Sequence, residues 1–326
     1  MKALKIISIL FGVLLFGADS LKAQQDAAYS MYMFNGMYIN PAYAGSRDYA
    51  VIEALYRHQW VGVEGAPRSG SIGINSPFKK KQYALGAIYS FDKIGLTDMN
   101  SMYLSFAYRL RFKNNMKLAF GIQAGFTSYQ NELSFADLPN QGAVGDATFM
   151  VDESLFLPNF GFGIWFHHDR FYVGASIPHL LTPKLSSRVQ STATDAVARQ
   201  YNHWLLTGGF VVGAKESWIK VKPSFLFKYV KNAPMSWDIN LGFLFIDRFW
   251  LAAGYRIGGN LESGGGNSIM ALTEFKITPQ LRIGYAYDYS LSKLVDFNSG
   301  SHEIMLGYDF GFDMKRYANP RYIRYF

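Results

Sequence analysis

The chain of 326 residues contains no cysteine. That excludes a disulfide framework and thiol chemistry. Charged residues are scarce at 17%, no more abundant than the aromatics at 17%; the first figure is low and the second high for a soluble domain. Beyond residue 23 there is no run of ~18 apolar residues, so no transmembrane helix is expected. Helical spacing of apolar residues is hard to find. Linker-like composition shifts are missing, and the one low-complexity stretch is 258–267. Basic residues outnumber acidic ones for a formal charge of +8, but apart from Lys79-Lys80-Lys81 they are dispersed. Dispersed charge argues against a nucleic-acid surface and fits solvated turns or contact with lipid headgroups.

What is present begins with a leader. Lys2 and Lys5 precede an apolar run over 6–16, and a small residue, Ala23, precedes Gln24-Gln25-Asp26. This reads as a secretory signal peptide over 1–23, cleaved after Ala23, although Leu21 departs from the small residue usual two positions earlier. The leader carries three lysines against one aspartate, which leaves the mature chain near about +6. An exported, aromatic-rich, glycine-rich chain without a membrane helix is either a large soluble β-protein or an outer-membrane β-barrel, in which each strand is only half apolar.

Alternation decides for strands. Met102, Leu104, Phe106, Tyr108, Leu110 and Phe112 share one face; Tyr103, Ser105, Ala107, Arg109 and Arg111 share the other. The same period of 2 runs through 218–230, 281–290 and 302–312. About fourteen such runs are predicted: 49–60, 69–77, 83–92, 100–112, 116–129, 159–168, 170–178, 200–213, 218–230, 235–246, 249–258, 267–277, 281–290 and 302–312. Many are long enough for a tilted membrane crossing. From the second gap onward, every other connection is a tight turn, while 131–158, 179–199, 257–266 and 291–300 are longer. Short periplasmic turns and longer external loops mark a transmembrane barrel. The expected architecture is therefore all-β: an outer-membrane barrel of about 14 antiparallel strands over 49–312. An N-terminal extension over 24–48 precedes it, and a tail over 313–326 follows.

Candidates for chemistry are weak. His167 and His168 are neighbours on a strand and point to opposite faces, so they do not make a metal site. Gly264-Gly265-Gly266 lacks the helix and Lys-Ser/Thr of a phosphate loop. No nucleophile-elbow context is visible. No catalytic, cofactor or metal residues are assigned, and no enzyme activity is expected. Charges on the minority faces, such as Arg109, Arg111, Lys220, Lys222, Lys228, Arg282 and Asp288, either line a channel or form a paired network in a closed interior. The six tryptophans (Trp60, Trp165, Trp204, Trp218, Trp237, Trp250) fit interfacial girdles.

The stretch 29–48, YSMYMFNGMYINPAYAGSRD, is neither strand-like nor helical, because Asn40-Pro41 forces a break. Tyr32, Phe34, Met37, Tyr38, Ile39 and Tyr43 would be unfavourable in water. They are expected to pack against the lower lumen wall or against a partner at the periplasmic mouth. Together with Gln24-Gln25-Asp26, the run from Arg57-His58-Gln59-Trp60 to Gly65-Ala66-Pro67, and the ending Asn319-Pro320-Arg321, this stretch resembles the PorP/SprF family of type IX secretion membrane proteins. The resemblance implies an integral outer-membrane protein of a gliding or type IX-secreting Gram-negative bacterium of the Bacteroidota, without enzyme activity or cofactor. It implies as partners a secreted, adhesin-like protein carrying a type IX C-terminal domain, or periplasmic secretion-ring proteins, besides outer-membrane lipid. Candidate partner-binding or plug residues are Tyr32, Phe34, Asn35, Tyr38, Asn40, Pro41, Tyr43 and Gly45. Candidate external-loop contacts are Trp60, Phe135, Leu138 and Phe156. The rival expectation is a passive transporter of a hydrophobic small molecule, similar to the fatty-acid channels.

Overall fold

A computed structural model describes residues 28–78, 81–132, 152–185, 200–214, 216–231, 233–258 and 267–310. The leader 1–23 and the tail 313–326 lie outside them. The described chain forms fourteen strands. They are β1 (Val51–His58), β2 (Arg68–Phe78), β3 (Tyr83–Ile94), β4 (Thr97–Arg111), β5 (Lys117–Asn131), β6 (Glu153–His168) and β7 (Phe171–Ile177), then β8 (His203–Phe210), β9 (Ile219–Val230), β10 (Ser236–Phe245), β11 (Phe249–Gly258), β12 (Ser268–Lys276), β13 (Leu281–Ser290) and β14 (Ser301–Asp309). Each strand pairs antiparallel with its neighbours in sequence, and β1 pairs with β14 to close the barrel. Closure leaves no free sheet edge, the condition for a sheet to cross lipid.

The period of 2 sorts side chains as the sequence implies. On β4, Met102, Leu104, Phe106, Tyr108 and Leu110 are exposed, whereas Tyr103, Ser105, Ala107 and Arg109 are buried. The outward face is apolar around the barrel, from Ile72 and Leu85 through Ile122 and Phe160 to Ile283 and Leu306. Such a surface is stable only against hydrocarbon.

Three prolines interrupt strands, each where one neighbour has stopped pairing. Pro77 lies beyond Asn75, where the β1 ladder ends. Pro158 precedes Phe162, where the β7 ladder begins. Pro223 lies within the break between the Gly209–Ser224 pair and the Val212–Val221 bridge. A residue with no N–H belongs where no acceptor faces it.

The strands depart from the sequence expectation mainly at the rim bearing the longer connections. β4 starts at Thr97, not residue 100, because Gly95-Leu96 alone turns the chain, with Gly95 at φ +56°. β6 starts at Glu153, not residue 159. Phe156 therefore belongs to a strand, stacked on Phe126 of β5 at 4.7 Å, and not to an external loop. The polar run Thr97–Asn100 looks like loop, yet its ladder continues on both sides. β8 is shorter than expected and ends at Phe210. The connections leaving β2, β4, β6, β8, β10 and β12 define the short-turn rim, where β1 starts and β14 ends. In outer-membrane barrels the short turns face the periplasm.

Candidate functional site: a segment threaded through the lumen

Residues preceding β1 occupy the barrel interior. Tyr29, Ser30, Met31, Tyr32, Asn35, Met37, Asn40, Ala42, Tyr43 and Ala44 are all buried. Three short helical turns, Tyr32–Phe34, Gly36–Ile39 and Pro41–Tyr43, compact the segment. Gly36 is required by the folding back: a Cβ there would stand 2.4 Å from the Tyr43 ring.

The segment descends from the long-loop rim to the short-turn rim. At its upper end Ser30 and Met31 donate backbone N–H bonds to the Glu303 carboxylate at 2.8 and 2.9 Å. Arg57 bridges Asp288 at 2.6 Å and Glu303 at 3.1 Å, and also donates to Ser30 Oγ at 3.0 Å. Arg256 pairs with Asp238 at 2.7 Å in the same layer. All these wall residues lie in the long-loop halves of their strands. Midway, Asn35 donates to Ser71 Oγ at 3.0 Å, and Tyr32 Oη accepts from Asn240 at 3.2 Å.

Asn40 and Pro41 make the tightest contact with the wall. Asn40 is extended (φ −151°, ψ 116°), as the residue before proline must be. Its Oδ1 accepts the Ala42 N–H at 2.9 Å, capping the turn that Pro41 starts. Its Nδ2 donates to the carbonyls of Ile164 on β6 and Ala175 on β7, at 3.0 and 3.2 Å. The wall makes room with glycine. A Cβ on Gly121 of β5 would stand 2.2 Å from Ala42 N, and one on Gly163 of β6 would stand 2.1 Å from Asn40 Oδ1. Tyr43 then meets Trp165 edge-on at 5.3 Å, and Trp165 stacks on Tyr172 at 4.9 Å.

At the lower end Gly45 takes φ +68°, accepts from Arg109 and donates to Asn75 Oδ1 at 2.9 Å. Asp48 bridges Lys117 at 2.7 Å and Arg109 at 3.2 Å. Arg47 reaches Asp309 at 3.6 Å and Glu53 at 3.9 Å. Both acids also bind Arg282, at 3.3 and 2.9 Å. Tyr49, just outside β1, donates to Asp309 at 3.1 Å. Burial pushes its phenol up to about 12, against the opposing pull of Arg47.

All eight residues proposed for the N-terminal segment thus lie inside the barrel: Tyr32, Phe34, Asn35, Tyr38, Asn40, Pro41, Tyr43 and Gly45. They pack along the height of the lumen wall, not only its lower part. Of the loop residues, Trp60 sits in the β1–β2 connection with φ +49°, its N–H donating to Ser301 Oγ at 3.2 Å. That connection is zipped to 299–300 through Val61. Phe135 and Leu138 lie outside the described residues. Lumen charges are mostly paired, although Arg111 is exposed on the short-turn rim. Trp165 and Trp250 are not girdle residues: both are buried in the lumen, and Lys222 Nζ lies 5.1 Å from the Trp250 ring. Trp204 is exposed on the outer face of β8, and Trp218 is exposed in the connection just before β9. His167 is buried while His168 stacks on Phe171 at 5.4 Å, on the other face. Sequence reading gave no site role to Arg57, Asp238, Glu303, Gly121 or Gly163; their signal is a charge or glycine on the small-residue face of a strand.

A closed antiparallel barrel with an apolar belt and its own N-terminal segment inside is an integral outer-membrane protein. The model of the type IX secretion system membrane protein PorP/SprF matches residues 21–308, and the chain belongs to that family. Among solved structures, the monoaromatic hydrocarbon channel CymD is similar at a TM-score of 0.52 and 12% identity, covering 85% of this chain and 92% of that one. Omp33 of Acinetobacter baumannii gives 0.48 at 7% identity, over 80% and 98%. A FadL homologue of Pseudomonas aeruginosa gives 0.48 at 12% identity, over 83% and 93%. At these identities the likeness concerns the fold alone. A comparison with curated protein sequences returns no match.

Proposed function

We propose that this barrel is a non-enzymatic component of the type IX secretion machinery that receives or retains a secreted surface protein at its long-loop rim. The observation that carries the reading is the lumen, occupied by the protein's own N-terminal segment, which is fastened at its upper end by hydrogen bonds to the buried Glu303 carboxylate and at its lower end by the ion pairs of Asp48. A segment held in this way suits a barrel that works through its rims. Family membership supplies the secretion system. The same segment, where it emerges beside Asp48, offers the periplasmic apparatus a second docking place.

The competing reading is passive uptake of a hydrophobic small molecule. A cavity in the outward half of the lumen favours it, but the segment lies beneath that cavity. Affinity purification of the tagged barrel from native envelopes after mild cross-linking separates the readings. Recovery of a secreted protein's C-terminal domain supports retention. Recovery of periplasmic ring proteins alone moves the role to the apparatus. Recovery of neither, where a known complex survives, removes the secretion role and leaves uptake.

A further inference from the structure

On the long-loop side of the threaded segment a cavity of about 100 Å³ remains between the segment and the walls of β3–β5 and β7–β9. Its floor is Met37 and Tyr38. Tyr29 stands edge-on to Tyr38, with ring centroids 4.8 Å apart at 86°. Across the space Tyr103 faces His179 at 5.4 Å, and His179 is edge-on to His203 at 6.3 Å. Three of these rings are held by packing or by hydrogen bonds. Tyr29 and Tyr103 are buried, Tyr103 Oη is hydrogen-bonded to Thr127 Oγ1 at 3.2 Å, with either oxygen able to donate, and His203 Nδ1 lies 3.0 Å from the Tyr201 carbonyl. A volume of this order is that of a benzene-sized guest. Ring edges and faces presented from several sides are the geometry that a further aromatic ring satisfies.

Polar groups line the cavity as well: Asp92, Gln123 and Lys228 on different strands, and a wall of hydroxyls. Ser101, Thr127 and Tyr103 form a hydroxyl ladder with steps of 2.8 and 3.2 Å, in which either atom of each pair donates. Hydroxyls in such a ladder reorient to give or take a bond. A purely hydrocarbon guest would leave that wall unanswered, whereas a ring carrying a hydroxyl would meet it. We propose that this cavity binds a single phenol-type ring. The ring comes either from a tyrosine side chain of the secreted partner or from a free small phenol. Only the first source rests on the function proposed above.

The test uses the full barrel in detergent with 4-fluorophenol as probe, followed by fluorine NMR. Two filling variants, Ser90→Phe on β3 and Leu205→Trp on β8, enlarge a side chain lining the space while leaving Ser101, Thr127 and Tyr103 in place. Saturable binding by the unaltered barrel, weakened at least about tenfold in both variants, with unchanged heat-dependent gel mobility, is the expected result. Absence of saturable binding, or equal binding by the filled variants, overturns the proposal. The source is read separately. Loss of the cross-linked secreted protein from cells carrying either variant assigns the ring to a protein side chain. Intact retention, with a phenolic compound extracted from the unaltered barrel only, assigns it to a small molecule. Failure of the unaltered barrel to capture any secreted protein counts against the function proposed above and leaves the ring-binding result standing.

Discussion

Gly121→Ala tests whether the threaded segment is seated as described. The added methyl would stand 2.2 Å from Ala42 N, 2.4 Å from Ala42 Cα and 2.5 Å from Pro41 C. Ordinary contact is ~3.5 Å or more, so backbone must retreat by roughly 1 Å. Retreat is opposed by the bonds of Asn40 to Ile164 and Ala175, each contributing about 1 kcal/mol. Overpacking of this kind costs about 1–3 kcal/mol. The methyl points into the lumen, so the β4–β5 and β5–β6 ladders are untouched and the cost falls on the segment. Since the chain has no cysteine, Ser46→Cys supplies a near-isosteric reporter at a buried position. Its reaction with a maleimide should be slow in the unaltered barrel. Adding Gly121→Ala should speed it by about 5-fold or more, the equivalent of at least about 1 kcal/mol of easier opening. An unchanged labelling rate in a folded barrel would refute the reasoning, because a segment seated against Gly121 has no room for the methyl.

Other outcomes follow from the same contacts. Arg57→Met should lower barrel stability by about 3 kcal/mol, because Glu303 is left buried without its cation while Asp288 keeps only Arg256 at 3.6 Å; adding Glu303→Gln should recover part of the loss in denaturant titrations. Asn40→Ala removes three hydrogen bonds and should raise Ser46→Cys labelling with the barrel folded, the loss being up to about 3 kcal/mol. The raised Tyr49 phenol predicts an alkaline effect. Between about pH 10, where an unfolded tyrosine ionises, and about 12 in the folded barrel, the unfolded state loses the proton first and stability falls as pH rises. Tyr49→Phe should flatten that part of the stability profile. Deleting 32–45 should raise ion conductance in planar bilayers while heat-dependent gel mobility persists.

The strands were legible because the period of 2 survives wherever one face meets lipid and the other the lumen. It faded where the ladder outlasts that contrast. Thr97–Asn100 on β4 and Glu153–Pro158 on β6 continue to pair beyond the alternation that marks the membrane-facing part, and Phe156 was misplaced for that reason. Trp165 and Trp250 look like girdle residues by type; only register shows that they point inward. The aromatic content of 29–45 announced that it packs against something. Its course through the lumen was not readable. That course depends on Gly121, Gly163 and Glu303, each scattered on a different strand and separated from the segment by 79 to 273 residues. A glycine on a lumen face looks the same whether it thins a wall or receives a proline.

The most direct test of the account is photocross-linking in living cells from one position on each rim: Val63 in the β1–β2 connection and Asn114 in the β4–β5 turn. The account predicts that a photoreactive residue at 63 captures a secreted protein by its C-terminal domain. Adducts from 114 alone, all with periplasmic proteins, would contradict it.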